Sequence, residues 1–301
     1  SSTVGNWFGV VVTDSHVTEL VLPSNQLIGT IPSSIGDLIE LRALNLGFNQ
    51  LTGSIPPSIS QLKNLETLWL DRNQLTGAIP PGIGELGELI SLNLLVNQLS
   101  GEIPLTLYDL ENLEILRIRN NKLTGAIAPE IEQLASLKKL VLNSNEFSGS
   151  IPESITKLHH LEYLHLGDNQ LTETLPTSLG ELSNIKEIYF YLNQLSGVIP
   201  DSIFGLTQLE VFSLWGNDLN GEIPANIGEL SQLRELDLSI NQLSGSIPNA
   251  LSRLDNLEKI KLDRNQLSGE IPTSLGDLSH LKDLQIFNNT LTGPIPESFT
   301  N

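Results

Sequence analysis

The sequence predicts an α/β solenoid, a right-handed stack of coils with a concave parallel sheet on one side and a convex side of short 3-10 or α turns. Three observations predict it. Asn25 recurs at 49, 73, 97, 121, 145, 169, 193, 217, 241, 265 and 289, a spacing of 24 without a slip. Around each Asn stands one frame, three alternating aliphatic positions, then Asn-x-Leu-x-Gly-x-Ile-Pro, then Ile/Leu-x-x-Leu, and Leu65 to Glu88 is one full copy. No apolar run is long enough to span a membrane, so the apolar residues are distributed as one stripe per repeat. A unit this small cannot bury its own apolar face, whereas stacked copies can.

Each part of the frame has a physical role. In Leu65-Glu66-Thr67-Leu68-Trp69-Leu70 the apolar residues at the fourth and sixth positions share one face of a short strand, and the residues between them point the other way. Strands of successive repeats pair in parallel about 4.8 Å apart, and each buried Leu or Ile contributes roughly 1.5–3 kcal/mol to one continuous core. The Asn turns inward where the strand ends, and its amide can satisfy backbone groups that the turn leaves unpaired. The Gly that follows suits a backbone needing positive φ or close approach.

This frame resembles the leucine-rich repeat family, and its Leu75-Thr76-Gly77-Ala78-Ile79-Pro80 block resembles the plant-specific 24-residue class of that family. The resemblance covers residues 17–301. It implies a non-catalytic recognition module, similar to receptor-like kinase ectodomains and polygalacturonase-inhibitor-type proteins. Two repeats depart from the pattern: Glu173 replaces the Gly and is expected to perturb its turn, and Ala128 replaces the Pro. Residues 1–16, with Gly5-Asn6-Trp7-Phe8-Gly9-Val10-Val11-Val12, look like the remnant of an N-terminal cap. Cysteines expected at positions 5 and 12 are replaced by Gly5 and Val12, and Trp7 is expected to plug the open end of the core. The chain stops inside a repeat without a polar cap, which suggests a piece of a longer, receptor-like protein.

Composition narrows the function classes. The net charge is −19, and the five variable strand positions hold 12 of the 16 basic but only 13 of the 35 acidic residues. An acidic back repels nucleic acid and anionic membranes, so neither is an expected partner. The five histidines form no spaced ligand set, there is no Cys, and no nucleophile stands beside His165 and Asp168, so no catalytic centre, metal or cofactor is expected. One glycosylation sequon begins at Asn288.

The outward strand positions carry the candidate sites. From Glu114 to Lys282 the residue before each strand alternates in sign, which reads as a ladder of ion pairs that fixes register. Repeats seven to nine present Tyr163, His165, Asp168, Tyr189, Tyr191, Leu192 and Trp215, a concentration of aromatics suited to binding a protein, peptide or oligosaccharide; cross-strand packing is the competing explanation. A second candidate patch comprises Phe48, Trp69, Arg72, Leu95, Val96, Arg117 and Arg119. Arg117-Ile118-Arg119 is similar to the Arg-x-Arg pair with which some plant peptide receptors hold a peptide's C-terminal end, though it sits two positions further along its repeat, and salt bridging to Asp71 or Asn capping competes with that role. The expected location is an extracellular or cell-surface ectodomain, with the cytoplasm as the alternative. Other readings are a secreted inhibitor of a wall-degrading enzyme and an intracellular scaffold arm of a signalling GTPase or kinase. An ice-binding solenoid ranks last, because the strand face is charged and irregular.

Overall fold

The structure, a computed structural model, describes residues 7–300 and divides into two compact units, residues 1–148 and 149–301. In the first unit an antiparallel hairpin, Val10–Thr13 with His16–Val21, leads into a parallel ladder of Ala43–Asn45, Thr67–Trp69, Ser91–Asn93, Ile115–Arg117 and Lys139–Val141. In the second, Tyr163–His165, Glu187–Tyr189, Val211–Ser213, Glu235–Asp237, Lys259–Lys261 and Asp283–Gln285 pair the same way. Register advances by 24 residues per rung, as the sequence period requires. Leu44, Leu68, Leu92, Leu116 and Leu140 therefore lie side by side, all fully buried.

Further parallel strands follow each Asn and pair outside the main ladder, for example Gln50–Gly53, Gln74–Gly77 and Gln98–Gly101, which share a second sheet in the first unit. The remaining side of each coil is built from 3-10 turns; among the described residues there is no α-helix. Spacing explains the choice. Ile59 N–H donates to Pro56 O, Leu62 to Ile59 and Leu65 to Leu62, so the apolar residues recur every third position and share a face at 3.0 residues per turn. An α-helical winding would rotate them away from the core.

The asparagine ladder ties each coil to the one before it. Asn73 Oδ1 accepts the Leu51 N–H at 2.9 Å, while its Nδ2 donates to Leu46 O at 3.0 Å and to Leu70 O at 3.1 Å. Asn217 does the same with Leu195, Phe190 and Leu214. The residue just before the Asn adopts a left-handed conformation, including bulky Phe48, Val96, Leu192 and Ile240. Such side chains rarely adopt it. Here the N–H of each is held by the next coil, as in Phe48 to Asp71 O and Leu192 to Trp215 O, both at 2.8 Å.

Two expectations are corrected. Glu173 does not perturb its turn: it takes φ +65°, close to the +73° to +89° of the equivalent glycines. Neighbouring coils show why. A Cβ built on Gly77 or Gly269 would stand 3.6–3.7 Å from a preceding Ser, whereas on Gly125 it would come within 2.7 Å of a Glu; the residue preceding Glu173 in this row is Ser150. Trp7 does not plug the core, being 61% exposed, and Gly5 lies outside the described residues. Of the 3-10 or α turns expected on the convex side, the described residues form 3-10 turns. Ala128 keeps the extended geometry of the prolines, φ −72° and ψ 149°. Its N–H, which Pro would lack, is the polar group that favours ionisation of the buried Tyr108 hydroxyl; burial outweighs it and pushes that hydroxyl up to about 12, with no well-formed hydrogen bond to it.

Candidate recognition surface

The aromatic cluster lies wholly within the second unit, because strand alternation turns Leu164, Ile188 and Phe212 into the core and the intervening residues outward. The rings then pack on one another. His165 Nδ1 lies 3.3 Å from the Tyr163 hydroxyl and Nε2 lies 3.1 Å from that of Tyr191, and the Tyr189 ring sits 4.8 Å away. This leaves His165 only 7% exposed. Tyr189 donates to Glu187 Oε2 at 2.6 Å; burial, then that bond, push its hydroxyl well above the usual tyrosine range. The Tyr191 ring lies over Gly167, where an added Cβ would come within 2.9 Å of it.

Six of the seven residues expected here thus stand in or against one cluster, but they are not equally available. Tyr163, His165, Tyr189 and Tyr191 spend much of their surface on each other. Trp215 stacks on Tyr191 at 5.3 Å with planes 15° apart, and Leu192, 41% exposed, lies over Gly216. Leu192 is thus the most exposed of the six, while Trp215, like the three tyrosines, is half-buried. Asp168 is exposed in the turn beyond the strand, its own N–H donating to Tyr191 O.

Sequence reasoning missed what adjoins Trp215. Its own repeat places Ser213, and the next two place Asp237, Ser239 and Asp263, on the same face, all at or below 6% exposure. Asp237 accepts the Ser239 hydroxyl at 2.6 Å and faces Lys261 at 3.4 Å. Burial pushes the Asp263 carboxyl up, with the Asp237 charge adding to it, against its backbone hydrogen bond, Arg264 and Lys261. The signal was present in the 24-residue rows, where short and acidic residues follow the aromatics.

The second patch lies in the first unit. Arg72 stands 5.0 Å over the exposed Phe48 ring, and Trp69 Nε1 donates to Ser91 Oγ at 2.9 Å. Leu95 and Val96 are half-buried between them and the Arg117 and Arg119 strand. Among the described residues the expected ion-pair ladder forms: Glu66 with Arg42, Glu114 with Lys138, Glu162 with Lys186, Glu210 with Arg234 and Glu258 with Lys282. By contrast Arg72, Arg117, Arg119 and Lys139 make no ion pair among the described residues. The buried Asp71 carboxyl, pushed up by desolvation, feels Arg72 and Arg117 but does not reach them as an ion pair. The outcome is a basic patch on an acidic chain. Asn288 of the sequon is exposed in a turn.

Among the described residues no group of His, Asp and Glu could hold a metal, and no helix is long and apolar enough to cross a membrane. The family descriptions "Leucine-rich repeat region" and "Leucine rich repeat" match residues 121–291 and 15–75. A TDR receptor structure is 30% identical, with TM-score 0.86, covering 93% of this chain and 53% of that one. The Arabidopsis receptor kinase HAESA, in complex with the peptide hormone IDA and the co-receptor SERK1, is 31% identical, with TM-score 0.75, covering 91% and 58%. A plant ice-binding protein is 27% identical, with TM-score 0.69, covering 97% and 90%. The chain therefore spans just over half the length of the two receptors. No curated protein matches it.

Proposed function

Since the chain belongs to the leucine-rich repeat family, we propose that it is a recognition module that binds a protein, peptide or oligosaccharide through its strand face. The observation that carries this reading is the Trp215 and Leu192 end of the aromatic cluster. Trp215 and Leu192 stand outward on a sheet whose own core is complete without them, beside a set of buried polar groups. Large aromatic anchors in such settings dominate interface energetics, and no core function accounts for these. The unpaired basic patch of Arg72, Arg117, Arg119 and Lys139 serves as a second contact for an acidic group. Similarity to a receptor kinase bound to a peptide hormone supports peptide among the ligand classes, and an extracellular ectodomain as the setting. Membership of a larger receptor-like protein, a cap over residues 1–16 and glycosylation at Asn288 belong to the same proposal.

The test is selection from peptide libraries and glycan arrays on the immobilised chain. Binders lost from a Leu192→Ser/Trp215→Ser double variant of unchanged melting temperature support the reading; binders indifferent to it refute it.

A second reading has one observation in its favour. The second sheet of the first unit pairs Thr52 with Gln74 and Thr76 with Gln98 at the strand spacing of about 4.8 Å, an uncharged stretch that ends where Lys122 stands opposite Ser100. An uncharged stretch of this kind suits an ice surface better than the charged strand face does, and the similarity to a plant ice-binding protein points the same way. Inhibition of ice recrystallisation that a Thr52→Lys/Thr76→Lys variant loses would support it; no inhibition by the unaltered chain would end it.

A further inference from the structure

We infer that the slot beside Trp215, on the strand face of the second unit, takes one pyranose ring of a neutral oligosaccharide. The inference rests on the strand-face reading above and assigns its ligand class.

The geometry begins with the Tyr191 and Trp215 stack. Their planes are 15° apart and their centroids 5.3 Å apart, close to the strand spacing of about 4.8 Å, so the free face of the indole is turned toward the next strand. There stands Ser239, in register through the Gly216 N–H to Ser239 O bond of 3.0 Å. Its hydroxyl is tied down to Asp237 at 2.6 Å and it is 6% exposed, so it forms a floor and not a wall. Asp263 occupies the same row one strand further. Two strand spacings, roughly 10 Å, separate the indole row from the Asp263 row. Allowing for the van der Waals thickness of both, the gap is about one saturated six-membered ring wide.

The chemistry of the slot favours a neutral occupant. Its charges are already met: Glu235 by Lys259 at 3.1 Å, Asp237 by Lys261 at 3.4 Å and Asp263 by Arg264 at 3.8 Å. An incoming cation or anion would have to compete with a partner already in place. A hydroxyl need not, because it donates to the carboxylate and accepts from the ammonium of the same pair. Asp237 and Asp263 are 6% and 5% exposed, and a hydroxyl donor offsets their desolvation without adding charge. A pyranose combines an apolar C–H face, which matches the indole, with a rim of hydroxyls, which matches the Ser and Asp groups. An extended peptide finds no strand edge here. Leu214, Glu235 and Leu238 already donate their N–H groups to Asp237, Glu210 and Lys261, which leaves no row for strand addition.

The experiment measures binding of hexamers of β-1,4-glucan, β-1,3-glucan, β-1,4-mannan and β-1,4-galactan to the full chain by calorimetry, with a hexa-arginine peptide in parallel. The expected result is binding of at least one neutral hexamer, unchanged within twofold between 50 and 500 mM salt, since no charge is exchanged. Trp215→Leu, which removes the ring but keeps an apolar side chain, and Ser239→Leu, which fills the slot, should each weaken it at least tenfold with melting temperatures within a few degrees. Failure of all four hexamers overturns the inference, as does salt-sensitive binding of hexa-arginine that Ser239→Leu abolishes. If library-selected peptides still depend on Trp215, the strand-face reading survives the loss of the saccharide assignment. If nothing depends on Trp215, both fall.

Discussion

Replacing Asn145 with Ala tests the asparagine ladder most directly. Asn145 Oδ1 accepts the Leu123 N–H at 3.1 Å, and Nδ2 donates to Ile118 O at 3.1 Å and Leu142 O at 3.0 Å; a further contact, to Asn143 O at 3.4 Å, is long enough to count for little. Three bonds at a net of about 1 kcal/mol each give a loss of about 3 kcal/mol. Orphaned groups raise that figure, and water entering the vacated space lowers it, because the site is 9% exposed at the outset. Glu146→Ala, one residue on and exposed, should cost less than about 0.5 kcal/mol. Urea denaturation of both variants gives the comparison. Amide exchange supplies a local readout: the Leu123 N–H loses its acceptor in Asn145→Ala, and its exchange should quicken more than tenfold. Equal costs at 145 and 146, or unchanged exchange at Leu123, would show that the amide is not the tie between coils.

Three other predictions address the irregular positions and the charge ladder. Glu173→Gly should stabilise the chain by about 1 kcal/mol, because the left-handed conformation at φ +65° is free of strain only for Gly, and a melting temperature that falls would contradict this. Tyr108→Phe should leave stability at pH 7 unchanged or raised by up to about 1 kcal/mol, since it removes a buried hydroxyl without a well-formed bond. An unfolded tyrosine loses its proton near pH 10 and native Tyr108 keeps its own to about 12, so native stability falls as pH rises through that window, by roughly 2–3 kcal/mol for this group; Tyr108→Phe should flatten the fall, and identical slopes would refute the assignment. Lys186→Ala, which removes the exposed partner of Glu162, should lower the melting temperature slightly in low salt and not at all in 1 M salt, and an effect that persists in high salt would count against a screened ion pair.

The period of 24 made the ladder, the parallel strands and the core leucines legible, because burial at every rung forces the same residue type into the same place. The left-handed position before each Asn was not legible. Phe48, Val96, Leu192 and Ile240 all disfavour it as isolated residues, and the hydrogen bond that imposes it comes from the next coil, 23 residues away in sequence. Glu173 was misjudged for a related reason. Its turn depends on the size of Ser150, a neighbour in space. At the candidate site the aromatics stood out in the sequence, but their unequal availability did not. How much of Tyr191 and His165 is spent on mutual packing depends on ring orientation, and a buried Asp237 or Asp263 looks like an ordinary surface residue until the strands are laid side by side.

Each ladder asparagine reaches backward. Asn73 satisfies groups of the coil that ends before it, Asn97 satisfies those of the coil that holds Asn73, and so on through both units. A ribosome delivers the chain from the N-terminus. A coil that has just emerged is therefore unfinished, one amide awaiting its acceptor and one carbonyl its second donor from a side chain still to be made, and it is sealed one repeat later. Completion passes along the polypeptide in the direction of translation, always about 24 residues behind the newest coil. The same polarity makes the two ends of any truncated array unequal. Both cuts unmake the sheet bonds at the exposed face, but a cut on the C-terminal side also takes the asparagine that the preceding coil relies on, whereas a cut on the N-terminal side leaves each remaining asparagine bonded within its own coil, as Asn73 is to Leu70 O.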